Sequence, residues 1–176
     1  MNEHKKLPNK SEIFIRATEP SDYTEITSLL SEKDVYGNML QLPFPSVDMW
    51  RERLLKKSPN YFSLTAEILE NEKLVMVGQI SISVFTPLRR RHVAAIGMGV
   101  KKEYHRRGIG AKLLESILDM ADNWLNIIRV ELEVFTDNQG AIALYEKYGF
   151  KIEGKLEKFA FRNGKYDDVY KMARIK

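Results

Sequence analysis

The clearest chemical signal in this 176-residue sequence lies at residues 100–114 (VKKEYHRRGIGAKLL), where a predicted strand meets a predicted helix. Gly108 and Gly110 have no side chains to block an anion, and the first N–H groups of the helix have no intrahelical partner. The helix dipole adds about half a positive charge at this end. Arg106, Arg107 and Lys112 can add charge at the rim. The arrangement predicts a site for bound phosphate.

Other interpretations of the same glycines stay open. A lone G-x-G at a helix start is often a turn or packing device. The loop is not a P-loop, because Lys112 is followed by Leu113 where that motif needs Ser or Thr. A nucleic-acid-binding module should show a basic face interleaved with aromatic residues, whereas Lys and Arg here alternate with Asp and Glu. A nucleotide-binding or nucleic-acid-binding module is therefore disfavoured but remains an alternative.

Hydrophobic periodicity predicts an α/β chain around this loop. The segment 34–45 (DVYGNMLQLPFP) is rich in breakers and is predicted to be a loop. The pair Asn163-Gly164 favours a hairpin turn. Strand patterns occupy residues 13–16, 62–69, 74–85, 92–100, 129–135, 150–161 and 166–175, and helical patterns follow Ser21-Asp22, Ser46, Gly108 and Asp137.

Composition limits the classes of protein that this chain can represent. The absence of cysteine excludes disulfides, thiolate metal sites and an acyl-cysteine intermediate. The net charge of +4 is a mild excess that suits an anionic ligand. No segment is apolar over the roughly 18 residues that a membrane span needs. The three histidines are scattered, so we expect no metal site. We predict a soluble, cytoplasmic protein that binds neither membrane nor nucleic acid.

Two motifs in the expected order resemble the GNAT N-acetyltransferase superfamily. The pyrophosphate loop of that family reads [QR]-x-x-G-x-[GA], and residues 105–110 read HRRGIG, with His105 where Gln or Arg is usual. Residues 136–150 (TDNQGAIALYEKYGF) resemble the family's D-N-x-x-A-x-x-L-Y-x-x-x-G-F stretch. The resemblance extends over most of the chain from Ile13 onward and looks most like the L-amino acid N-acetyltransferase branch.

The resemblance implies a fold and a domain plan. The expected fold is the α/β GNAT acyl-CoA N-acyltransferase fold, with a mixed, mostly antiparallel central sheet of about seven strands and about four flanking helices. Residues 12–176 would form a single N-acetyltransferase domain after a polar N-terminal lead at residues 1–11.

The resemblance also implies an activity. It indicates acetyl-CoA as co-substrate and transfer of the acetyl group to a primary amine, by direct attack in a ternary complex. The acceptor is expected to be a small molecule such as an amino acid, with a polyamine or a protein N-terminus as alternatives. Members of the family are often dimers, so a homodimer is a further expectation.

Residue roles follow from the same resemblance. Tyr145 is expected to act as general acid toward the departing thiolate, and Asn138, two helical turns earlier, to position the cofactor. No general base is identified: Glu32, His92, Glu131 and Glu133 are nominees, and a water chain to bulk solvent would serve equally well. Asn138 could equally be a helix cap. The other residues expected to bind the cofactor are Met98, Gly99, Val100, His105, Arg106, Arg107, Gly108, Ile109, Gly110 and Ala111, and those expected to face the acceptor are Glu32, Tyr36, Leu40 and Phe44.

Overall fold

The computed structural model describes residues 12–56 and 58–176, so the predicted polar lead at residues 1–11 lies outside it. Seven strands form one mixed sheet in the order β1-β2-β3-β4-β5-β7-β6, in which only β4 and β5 pair in parallel. The predicted mixed, mostly antiparallel sheet is confirmed. The strands are β1 (Ile13–Ala17), β2 (Tyr61–Glu70), β3 (Lys73–Val84), β4 (Val93–Val100), β5 (Arg129–Phe135), β6 (Lys151–Arg162) and β7 (Lys165–Ile175).

Five α-helices flank the sheet in the described part of the chain, where about four were predicted. They are α1 (Tyr23–Ser31), α2 (Lys33–Tyr36), α3 (Val47–Leu55), α4 (Ile109–Asn123) and α5 (Gln139–Lys147). The additional element, α2, overlaps the segment 34–45 that was expected to be a loop. Its single turn buries Val35 in an apolar cluster with residues of α1 and α3. Tertiary packing of this kind overrides a local sequence rich in helix breakers.

The longest helix, α4, follows the amphipathic pattern of its sequence. Its buried side chains form one apolar face against the sheet: Ile109, Leu113, Leu114, Ile117, Leu118 and Ala121. Such burial contributes roughly 1.5 to 3 kcal/mol for each large aliphatic side chain. The helix ends at Asn123, and Trp124, which follows it, is 80% exposed.

The two faces of the sheet are covered by different helices. Adjacent residues of a strand point to opposite faces, and β4 keeps a regular register with β3. Met98 lies against α4, because a Cβ placed on Gly110 would be 3.5 Å from the Met98 methyl carbon. Gly99 lies against the α2 side, because a Cβ there would be 2.8 Å from a methyl of Val35. Helix α4 and helix α2 therefore cover opposite faces at the end of β4.

Candidate active site

The sheet opens between its two parallel strands. Strands β4 and β5 pair from Val93–Arg129 to Ala95–Glu131, and then their pairing ends although both strands continue. A cleft of about 570 Å³ lies at this divergence and reaches both α4 and α5. A cleft of this volume is typical of small-molecule sites.

The edge of β4 that faces the cleft carries free main-chain groups. The carbonyl of His92 accepts from the N–H groups of Ile128 and Arg129, which places it on the β5 side. Since strand residues alternate, the N–H and C=O groups of Met98 point the same way, beyond the last β4–β5 pair. An extended ligand can pair with such an edge as an added strand would.

The predicted phosphate loop leads directly from this edge into α4. Arg106 and Gly108 have φ angles of 62° and 83°, so the chain turns through left-handed conformations before the helix begins. Lys112 N–H donates to the Gly108 carbonyl at 3.0 Å. The N–H groups of residues 109–111 come before this first helical hydrogen bond, so the helix offers them no acceptor four residues earlier. These three residues line the cleft. This geometry suits an anion.

The two glycines of the loop serve different physical needs. Gly108 adopts a left-handed φ that disfavours any residue with a side chain. Gly110 was expected to leave room for an anion, but a Cβ there would point into the protein, 3.2 Å from Leu144. Its missing side chain therefore lets α4 approach α5.

The basic side chains of the loop have separate positions. Arg106 lines the cleft, whereas Arg107 stacks over the Tyr104 ring at 5.0 Å and lies outside the lining. His105 lines the cleft, with its Nε2 atom 2.9 Å from the Val100 carbonyl oxygen. The remaining predicted cofactor residues line the cleft: Met98, Gly99, Val100, Gly108, Ile109, Gly110, Ala111, Asn138 and Tyr145.

Tyr145 of α5 lies at the cleft with only 7% of its surface exposed. Its ring packs against Phe150 at 5.6 Å, and burial raises the pKa of its phenol to about 12. The phenol therefore stays protonated at neutral pH. A buried phenol of this kind can donate a hydrogen bond or a proton to a group in the cleft.

Asn138 caps α5, the simpler of the two roles considered for it. Its side-chain oxygen accepts from the Ala141 N–H at 3.2 Å. Its side-chain nitrogen donates to the Asn38 oxygen at 3.4 Å, and Asn138 also lines the cleft. Capping satisfies an N–H group that the helix leaves free. The cofactor-positioning role of Asn138 stays a prediction.

The predicted acceptor residues divide between the cleft and the surface near it. Leu40 lines the cleft, but Glu32, Tyr36 and Phe44 do not. Phe44 is 95% exposed. The Glu32 carboxylate accepts from the Lys102 N–H at 3.3 Å, which connects α2 to the loop after β4.

Sequence reasoning missed the contribution of Asn38 and Met39, which follow α2 and line the cleft. The Asn38 side-chain oxygen accepts from Asn138 and from Arg162, each at 3.4 Å. These partners lie 100 and 124 positions away in sequence, so no local pattern marks the contact. Arg162 also stacks on Phe135, whose lining of the cleft was likewise not predicted.

Two of the four nominees for the general base lie side by side on β5. Glu131 is buried and contacts three cations, at 3.0 Å from Arg90, 2.8 Å from Arg129 and 2.9 Å from Lys171. Burial alone would raise the pKa of Glu131, but the hydrogen bonds from Arg129 and Lys171 outweigh it and hold the pKa below its usual value. Glu133 is exposed, lines the cleft and contacts Lys171 at 2.6 Å.

The structure adds two observations on other classes of site. Within residues 12–56 and 58–176, no group of three or more His, Asp and Glu side chains is placed to hold a metal ion. No helix in the same range is long and apolar enough to cross a membrane.

Comparison with known proteins agrees with this geometry. The profile of the acetyltransferase (GNAT) family matches residues 25–150. The chain is 45% identical to the L-amino acid N-acetyltransferase AaaT of Escherichia coli, over 94% of this chain and 99% of that protein. It is 26% identical to a spermidine N(1)-acetyltransferase of Vibrio cholerae, over 92% of each.

Solved structures show the same fold. A GNAT-family acetyltransferase from Streptococcus pneumoniae superposes with a TM-score of 0.79 at 30% identity, covering 94% of this chain and all of that one. The spermidine N-acetyltransferase of Vibrio cholerae, solved with CoA and spermine, superposes with a TM-score of 0.83 at 24% identity. The superposition covers 94% of this chain and 96% of the spermidine N-acetyltransferase chain.

Proposed function

Since this chain belongs to the GNAT acetyltransferase family, we propose that it transfers the acetyl group of acetyl-CoA to the primary amine of an amino acid. The observation that carries the proposal is the cleft between β4 and β5. It has a loop suited to an anion at one end, a free strand edge along one wall and a buried phenol within it. These are the groups that direct acyl transfer needs.

The donor side of the cleft fits acetyl-CoA. The amides of residues 109–111 and the Arg106 side chain would hold the diphosphate, because oriented N–H groups and a helix N-terminus favour anions. The Met98 edge would pair with the amide groups of the pantetheine arm. The thioester supplies an acyl carbon that a free amine can attack directly, with release of a thiolate.

The chain's own groups would then handle charge and protons. The amine nitrogen forms a bond to the acyl carbon as the carbon–sulfur bond breaks. The Met98 N–H would stabilise negative charge on the acyl oxygen. The Tyr145 phenol, still protonated at neutral pH, would give its proton to the departing sulfur. Attack within one ternary complex needs no covalent enzyme intermediate, and the chain has no cysteine to form one.

Glu133 is the nominee for the general base that the geometry favours. An amino group arrives as ammonium and must lose a proton before it attacks. Glu133 lines the cleft, whereas Glu32, His92 and Glu131 do not, and Glu131 already contacts three cations. The Glu133 carboxylate could accept the proton directly or through water.

Charges at the cleft support an amino acid over a polyamine. The two carboxylates that line the cleft, Asp34 and Glu133, each have a lysine close by. Lys102 lies 2.9 Å from Asp34 and Lys171 lies 2.6 Å from Glu133. Neighbouring opposite charges suit an acceptor with both an ammonium and a carboxylate, while a polycation would meet the lysines. The similarity to AaaT favours the same acceptor class.

The proposal is tested by measuring thiol release from acetyl-CoA with a panel of acceptors at equal concentration. The panel contains amino acids, spermidine and short peptides with free N-termini, and mass spectrometry identifies the acetylated product. We expect N-acetyl amino acids. Turnover with spermidine or peptides alone would replace the acceptor class, and no turnover with any amine would contradict the activity.

Two further features of the proposal concern the cell. We propose a cytoplasmic location, which the cysteine-free composition suits because a reducing compartment offers no use for disulfides. A homodimer, implied by the family resemblance, stays a prediction that light scattering would test.

A further inference from the structure

His105 makes one defined contact at the start of the phosphate loop. Its Nε2 atom lies 2.9 Å from the Val100 carbonyl oxygen. A carbonyl oxygen can only accept, so Nε2 must carry the hydrogen in this contact. The bond joins the last residue of β4 to the residue that precedes the left-handed turn at Arg106.

The Val100 carbonyl lies on the side of β4 that faces the cleft. Val100 is eight residues after His92, whose carbonyl points to the β5 side, so regular alternation directs the Val100 carbonyl to the same side. Both Val100 and the loop amides line the cleft. A bare carbonyl there would present its negative end near the place where the loop favours an anion.

We propose that His105 is a positioning residue for the cofactor, which acts through Val100 and not by contact with the phosphates. The inference rests on the proposed function. The Nε2–H group satisfies the Val100 carbonyl with a hydrogen bond and holds the end of β4 to the loop. The Met98 edge and the loop amides then keep a constant separation, so that one ligand can reach both.

Two substitutions separate this role from the alternatives. His105→Ala removes the donor, and His105→Gln keeps an uncharged N–H donor. If His105 served as a cation for phosphate, glutamine would not replace it. A matched control is Ser31→Ala, which removes another exposed side-chain bond to a main-chain carbonyl, 2.7 Å from Ser28, at a site outside the cleft.

The test is calorimetric titration of each variant with acetyl-CoA, combined with steady-state kinetics. We expect His105→Ala to raise the Kd about 2- to 10-fold, the range for loss of one hydrogen bond. The KM for the amine and kcat should change less than about twofold, because the contact lies on the donor side. His105→Gln should restore the Kd to within about twofold, and Ser31→Ala should match the wild type.

The outcomes that would overturn the role of His105 are distinct from failure of the proposed function. Wild-type affinity in His105→Ala, or equal weakening in His105→Gln and His105→Ala, would remove the positioning role. An equal loss of affinity in Ser31→Ala would assign the effect to general destabilisation. If the wild-type protein does not bind acetyl-CoA at all, the proposed function itself fails.

Discussion

Replacement of Tyr145 by Phe removes a single hydroxyl group from the cleft. The ring contact with Phe150 at 5.6 Å survives the change. No other described side chain or carbonyl is placed to hydrogen-bond with that hydroxyl, so the substitution leaves no protein group unpaired. We therefore expect the melting temperature and the Kd for acetyl-CoA to stay close to wild type.

Turnover should respond strongly to the same substitution. Proton transfer from a positioned acid contributes typically about 10²- to 10⁴-fold to a rate, so kcat of Tyr145→Phe should fall by about 100-fold or more. That loss corresponds to about 2.7 kcal/mol of activation free energy. The matched control is Tyr170→Phe, because Tyr170 is also partly buried against the core but lies on β7, outside the cleft.

The pH dependence gives a second test of the same role. The general acid works only while it is protonated, and burial raises the pKa of Tyr145 to about 12. Loss of the acid should therefore reduce kcat only as the pH approaches 12. We expect no descending limb in kcat between pH 7 and about pH 10. A descending limb near pH 9 that disappears in Tyr145→Phe would contradict the raised pKa.

The assay is thiol release followed by stopped flow and at steady state, with calorimetric titration for the Kd. A pre-steady-state burst would show that product release limits kcat, and then the single-turnover rate must be compared instead. Unchanged single-turnover rates in Tyr145→Phe would refute the assignment of Tyr145 as general acid.

Three further substitutions test the rest of the site. Gly110→Val should weaken acetyl-CoA binding measured by calorimetry and lower the free energy of unfolding by about 1 to 3 kcal/mol, because its Cβ would crowd Leu144. The control Gly154→Ala adds a Cβ in open space, so it should change neither the affinity nor the stability. Glu133→Gln should lower kcat/KM for the amine by about 100-fold with little change in melting temperature, while the exposed control Glu157→Gln should behave as wild type. Asn138→Ala should lower the free energy of unfolding, measured with denaturant, by about 0.5 to 2 kcal/mol. Asn138→Asp should lower it clearly less, because aspartate keeps a side-chain oxygen that can cap the helix. Equal losses in the two variants would remove the capping role.

The parts of the fold that the sequence predicts well are those set by local physics. The alternation at residues 129–135 places β5 at the observed bounds, because a strand buried on one face repeats every two residues. Asn163 and Gly164 have φ angles of 53° and 82°, the left-handed pair that a tight hairpin turn needs.

The parts that it does not predict depend on tertiary contacts. The short helix α2 forms because Val35 packs into a cluster with α1 and α3. The divergence of β4 and β5 after Ala95 has no local signature, since both strands continue as regular strands. Asn38 contacts Asn138 and Arg162, which lie 100 and 124 positions away in sequence, and only the assembled sheet brings these residues together.

The central claim, that the cleft between β4 and β5 binds acetyl-CoA, is tested most directly by thermal unfolding with and without that ligand. ATP and NAD serve as controls, because both also carry linked phosphate groups on an adenosine. Acetyl-CoA at about 100 times its Kd should add about 2.7 kcal/mol, or roughly 5 to 10 °C in melting temperature. A shift of that size with acetyl-CoA and not with ATP or NAD is the predicted result. No shift with saturating acetyl-CoA, or an equal shift with all three ligands, would contradict the account.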